Sequence, residues 1–192
     1  MDDSGAKSLS ALGFLTVVES PQHGLFGGLL VLNPSGHPVE FHCTAPVKPN
    51  RAQQILYGKT LEPFLYGHQI GSTLLSKAQP KPPVVLTDVP SMLALRESTA
   101  TPVVLLAPAS DEPADATDVA YRVDAAHTAA QATGPKSATF RVGAYDLALS
   151  TTEDETAGRL IKQLVTVAER IDLAEPFERI REAIQEAQRI GD

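Results

Sequence analysis

The stretch over residues 28–71, GLLVLNPSGHPVEFHCTAPVKPNRAQQILYGKTLEPFLYGHQIG, constrains the fold of this chain most. Two strand-like runs are joined by the turn Asn33-Pro34-Ser35-Gly36. Proline presets one backbone angle, asparagine bonds its own backbone, and glycine accepts a positive φ. A connection this short permits only antiparallel pairing. A helix then opens after Pro49-Asn50, with Asn50 as N-cap. The same stretch holds the only cysteine, three of the five histidines (His37, His42, His68) and two of the four tyrosines.

The flanking segments extend this unit. Residues 12–19 (LGFLTVVE) and 25–32 (LFGGLLVL) read as strands around the turn 20–24, and 38–44 as a third. Three strands with short loops predict an antiparallel meander. Gly27-Gly28 inside the second strand marks a bulge or a close backbone approach. Gly58 and Pro63 split the helical signal into helices at 51–57 and about 63–77. The echo Tyr57-Gly58 and Tyr66-Gly67 is nine residues apart, and the break between them offers a way to bring both rings to one side.

After the linker 80–83, residues 84–88 (VVLTD) and 103–107 (VVLLA) are continuous apolar runs on either side of a short helix at 89–97, for which Asp88 is a candidate N-cap. Such runs joined through a helix predict a parallel βαβ unit. Residues 108–138 turn rich in Ala, Asp, Thr and Pro and read as linker or loop, with a weak strand at 119–123. A strand at 139–149 follows, then a helix over 153–174 and a last helix from Pro176. That last helix carries Phe177, Ile180, Ile184 and Ala187 on one face. The expected organisation is a core at 1–107, a variable segment at 108–138, and a strand with C-terminal helices at 139–192. The last helix is assigned to a protein partner or to self-association.

Composition narrows the function. The 192 residues contain 43% hydrophobic side chains but only 5% aromatic, so the core is aliphatic. A single cysteine excludes an internal disulfide. Residues 1–108 balance seven acids against seven bases, while 109–192 carry sixteen acids against nine, which gives the net charge of −7. No basic stripe supports strong nucleic-acid binding, which is therefore not favoured. No apolar run approaches the roughly 20 residues of a membrane span, and the N-terminus lacks the pattern of a signal peptide. A cytoplasmic location is expected.

Several side chains are candidates for chemistry. Cys43 would need a base, but His42 points to the opposite strand face, so a small buried packing role is expected for the thiol. The histidines show no metal-site spacing. Tyr57, Tyr66 and His68 form a candidate binding surface. Glu19 ends the first strand and Asp88 the fourth. If those strands pair, both carboxylates stand at one sheet edge, where a two-metal phosphoryl-transfer site needs them.

The order strand, strand, strand, helix, strand, helix, strand resembles a ribonuclease H-like core over about residues 12–107. FGGLLVLNPSGHPVEFHCTAPVKPNRAQQIL resembles its Gly-rich second strand, hairpin and helix start. The resemblance implies an α/β fold, a mixed sheet of antiparallel meander then βαβ, flanked by helices. It implies Mg²⁺-binding acids on strand one, in the first helix, on strand four and in a late helix. Those positions fall on Glu19, on the neutral Gln53 or Gln54, on Asp88, and by order alone on Glu153, Asp154 or Glu155. Glutamine is a poor Mg²⁺ ligand beside carboxylate. The reading preferred is therefore a non-catalytic interaction or scaffold protein on a degenerate fold, with no cofactor. A divergent Mg²⁺-dependent nuclease using Glu19 and Asp88 is the alternative, and a Cys43-dependent hydrolase the third.

Overall fold

The computed structural model describes residues 9–109, 137–150 and 154–191. The strand expected at 119–123 and the candidate acid Glu153 lie outside the described residues.

Strands β1 (Leu12–Ser20), β2 (Gly24–Leu32) and β3 (Pro38–Cys43) form the expected antiparallel meander. Gly24 and Gly36 turn it with φ of 99° and 80°. Helix α1 (Arg51–Tyr57) starts on a capping box in which Asn50 Oδ1 accepts from Gln53 N and Gln53 Oε1 accepts from Asn50 N. Gly58, at φ 50°, ends it.

After a 3-10 turn at Gly58–Thr60, α2 (Leu61–Pro63), a π-helix (Phe64–Gly71) and α3 (Ser72–Lys77) run on as one helical stretch. Pro63 does not open a separate helix. It sits in the first turn, where its missing N–H has no intrahelical partner to lose.

Strand β4 (Val85–Thr87) pairs parallel with β1, a 3-10 helix (Pro90–Glu97) crosses over, and β5 (Val103–Pro108) pairs parallel with β4. The single strand expected at 139–149 is instead a hairpin, β6 (Ser137–Val142) and β7 (Tyr145–Ser150). Gly143 adopts φ 60° and closes its two-residue turn, a signal hidden in an otherwise strand-like run. Strand β7 pairs antiparallel with β5, so the region after residue 136 joins the same sheet. Helices α4 (Asp154–Ala168) and α5 (Glu175–Gly191) follow, the first ending short of the expected residue 174. The sheet has seven strands in the order β3-β2-β1-β4-β5-β7-β6.

Alternation along the central strands feeds two cores. Leu12, Phe14, Leu30, Leu32 and Leu86 face α4 and α5, while Leu15, Leu29, Val31 and Val85 face the π-helix and α3. Gly27 and Gly28 are the close-approach positions, one for each face. A Cβ on Gly27 would stand 2.1 Å from Ile70 Cγ2, and one on Gly28 2.3 Å from Ile180 Cγ2.

Three of the four residues of the α5 stripe, Phe177, Ile180 and Ile184, are covered by the chain's own sheet, while Ala187 is exposed. Phe177, Ile180 and Ile184 are 1%, 0% and 2% exposed. Phe177 packs edge-on against Phe14, with ring centroids 5.6 Å apart. The helix folds back because its stripe fits the depression that Gly28 leaves in β2. Phe177→Ala is expected to cost about 3–5 kcal/mol in urea denaturation. A loss below about 1 kcal/mol would show that α5 is not part of the core.

Candidate functional site

The parallel ladder Gly13–Val85, Phe14–Leu86, Leu15–Thr87 leads on to Thr16 and Asp88 at its open end. On the other side of β1, Thr16 pairs with Gly28. Asp88, Thr16 and Gly28 thus form a row across β4, β1 and β2. Helix α5 lies over this row. Ile180 fills the space above Gly28, and the next residue, Arg181, donates from Nη2 to Asp88 Oδ2. Thr16 is fully buried and its Oγ1 has no hydrogen-bond partner, and Asp88 Oδ1 likewise has none.

Asp88 is not the N-cap of the following 3-10 helix. Val89 holds that position, with no side-chain cap bond and Pro90 opening the helix.

Glu19 does not join Asp88. It lies three residues beyond Thr16 on β1, so pleating turns it to the opposite sheet face. There the hydroxyl of Tyr66, from the π-helix, donates to Glu19 Oε1 at 2.6 Å. The two carboxylates expected at one sheet edge are held from opposite faces, Asp88 by α5 and Glu19 by the π-helix.

Tyr57 and Tyr66 do not share a face either. Tyr66 is buried at 7% exposure, while Tyr57 stacks on Phe64 at the surface with centroids 4.4 Å apart. Phe64 in turn lies 6.3 Å from the His68 ring. His68 is held at the end of the 3-10 helix, Nδ1 2.8 Å from Ser98 Oγ and Nε2 3.1 Å from Glu97 Oε2. Tyr57 and His68 therefore flank one aromatic row, from which Tyr66 is separate.

Cys43 is exposed rather than buried, because β3 is the edge strand. It borders a cavity of about 360 Å³ with His23, Phe26, Ile184 and Gln188. As expected from alternation, His42 is not its base. His42 Nε2 lies 2.8 Å from Glu40 Oε1 on the other face. The Gln79 N–H and then His42 hold the Glu40 carboxyl below its ordinary range.

Two residues of this site, Thr16 in the row and Arg181 above it, escaped the sequence reading. Thr16 is the one polar residue inside the otherwise apolar run 12–18, a signal that was present. Arg181 reads as one charge among many on a helix flank, and only the docking of α5 singles it out.

No protein-family model and no curated protein sequence matches the chain. Solved structures do. The endonuclease V of Ciona intestinalis, in complex with a 24-mer DNA containing an inosine followed by a ribo-adenosine, superposes with a TM-score of 0.50 at 14% identity, over 96% of this chain and 89% of that one. The fold is ribonuclease H-like. The catalytic domain of human endonuclease V gives a TM-score of 0.44 at 18% identity, over 96% and 85% of the two chains. An Argonaute of Marinitoga piezophila with a 5′ OH guide RNA gives 0.38 at 7%, over 88% and 27%.

The ribonuclease H-like resemblance implies a divalent metal near the ends of β1 and β4, and the described residues there do not fit one. Thr16 is neutral, Asp88 is neutralised by Arg181, and Glu19 faces the other way. Groups of three or more His, Cys, Asp or Glu able to hold a metal do not occur among the described residues. Mg²⁺ demands near-octahedral oxygen ligation, supplied by one or two free carboxylates together with waters. No helix of the described chain is long and apolar enough to cross a membrane.

The Tyr66 phenol titrates well above its ordinary value, first because it is buried and next because Glu19 accepts its proton in a hydrogen bond. The folded state therefore favours the protonated phenol. Its contribution to stability is complete below the unfolded value of about 10 and is lost as pH rises above it. Tyr66→Phe is expected to cost about 0.5–1.5 kcal/mol near neutral pH and to flatten the alkaline limb of the stability profile. An alkaline limb unchanged in the variant would contradict the Tyr66–Glu19 bond.

Proposed function

We propose that this chain is a non-catalytic interaction protein built on a ribonuclease H-like fold. The observation that supports it most is the separation of its two candidate acids, Asp88 engaged by Arg181 under α5 and Glu19 engaged by Tyr66 on the other face. Hydrolysis by two metals needs carboxylates converging on one point, where both the attacking and the leaving oxygen are stabilised. One carboxylate already paired with a guanidinium does not provide that. On this reading the sheet and helices are a scaffold, and a partner meets a surface other than the stripe of Phe177, Ile180 and Ile184, which the chain's own core occupies.

The second reading is a divergent Mg²⁺-dependent nuclease. Its support is the likeness to an endonuclease V bound to inosine-containing DNA, together with an aspartate at the end of β4. Both readings are separated by one assay. Full-length chain with Mg²⁺ or Mn²⁺ is expected to leave inosine-containing DNA and RNA–DNA hybrids uncut above background. Cleavage that disappears in Asp88→Asn would reject the scaffold reading and establish the nuclease.

A further inference from the structure

The row Asp88, Thr16, Gly28 contains an anomaly that a scaffold does not need. Thr16 Oγ1 and Asp88 Oδ1 are both shielded from solvent, on adjacent strands and on the same face, and neither has a partner. Buried polar atoms are nearly always satisfied, so two such atoms on one face of neighbouring strands call for an explanation. The charge present there is Arg181. Its side chain is 40% exposed and its guanidinium reaches Asp88 Oδ2, whose side chain is 21% exposed. Ile180, wholly buried above Gly28, fixes the turn of α5 that carries it.

We propose that the Arg181 guanidinium is the resident cation of this site, in the place that the ribonuclease H-like resemblance gives to a divalent metal. Of the acids that resemblance implies, Asp88 is in place on strand four, whereas Glu19 of strand one is turned to the other face, the strand beside Asp88 presents the neutral Thr16, and the last helix presents the cation Arg181. The exchange is chemically coherent. A metal needs several oxygens converging from different elements, whereas a guanidinium needs one carboxylate and brings its own geometry. The neutral Thr16, the carboxylate of Asp88 and the guanidinium of Arg181 together leave the site neutral, and the pair ties α5 to the sheet without any ion from solution. Arg181 on this account is a positioning residue. The proposal rests on the non-catalytic reading but makes a separate claim about cation binding.

The test uses Mn²⁺ as probe and the melting temperature of the full chain as readout, in EDTA or in millimolar MnCl₂. Wild type is expected to melt at the same temperature in both. Arg181→Met is expected to melt lower in EDTA and to rise with Mn²⁺. Thr16→Asp with Arg181→Met is expected to rise further, and Asp88→Asn with Arg181→Met not at all. Arg181→Lys, which keeps the cation, is expected to ignore Mn²⁺ as wild type does. A wild-type response that Asp88→Asn removes would overturn the proposal, and so would an Arg181→Met chain no more responsive than wild type. Should Arg181→Met fail to fold, Mn²⁺ broadening of wild-type amide resonances decides: none is expected at Thr16 and Val89, and broadening there overturns the proposal. A wild-type chain that binds Mn²⁺ at Asp88 yet cuts no nucleic acid would defeat this inference while leaving the scaffold reading intact.

Discussion

The contact of Ile180 with the bare backbone at Gly28 is the constraint on which the rest of the structure depends. A strand of ordinary side chains would hold α5 a side chain's width from the sheet. Here the helix drops into the gap. The consequences run in both directions along it. One turn back, Phe177 meets Phe14 and completes the core with α4. One residue on, Arg181 meets Asp88. The same approach closes over Thr16 and shields its hydroxyl from water. Gly27 performs the matching service on the other face, where Ile70 of the π-helix comes in and Tyr66 reaches Glu19. Two adjacent glycines thus seat one helix on each face, and each helix ties down one of the two acids.

Much of the fold was legible in the sequence because its signals are local. Short turns with glycine at positive φ gave the meander, and continuous apolar runs gave the parallel pair β4 and β5. Asn50 gave the start of α1. The β6–β7 hairpin was missed because Gly143-Ala144 interrupts no hydrophobic pattern and only the backbone angle marks the turn. Cys43 was misjudged because burial depends on strand order, and β3 falls at the edge.

The site was less legible, for a geometric reason. Whether two acids on neighbouring strands meet depends on register and parity together. Glu19 and Asp88 are both near strand ends, but the ladder sets Thr16, not Glu19, beside Asp88. An odd offset of three residues then sends Glu19 through the sheet. Nothing in the local pattern of LGFLTVVES distinguishes these outcomes. The role of Arg181 is further from reach, since it follows from how the last helix docks. The cover of Phe177, Ile180 and Ile184 turns on the same point. An apolar stripe requires a cover, and the sequence alone does not say that the cover is β2.

The most direct measurement of this account is a double-mutant cycle between Gly28 and Ile180 by urea denaturation. Ile180 is β-branched, wholly buried and stiff, so a methyl at residue 28 cannot be absorbed by a rotamer change. Gly28→Ala is expected to cost about 1–3 kcal/mol in the wild-type background, as overpacking does. In an Ile180→Ala background the added methyl fills space instead, and most of that cost is expected to disappear, a coupling well beyond the few tenths of a kcal/mol of independent sites. Strictly additive losses would show that α5 does not seat on Gly28, and the placement of Arg181 over Asp88 would fall with it.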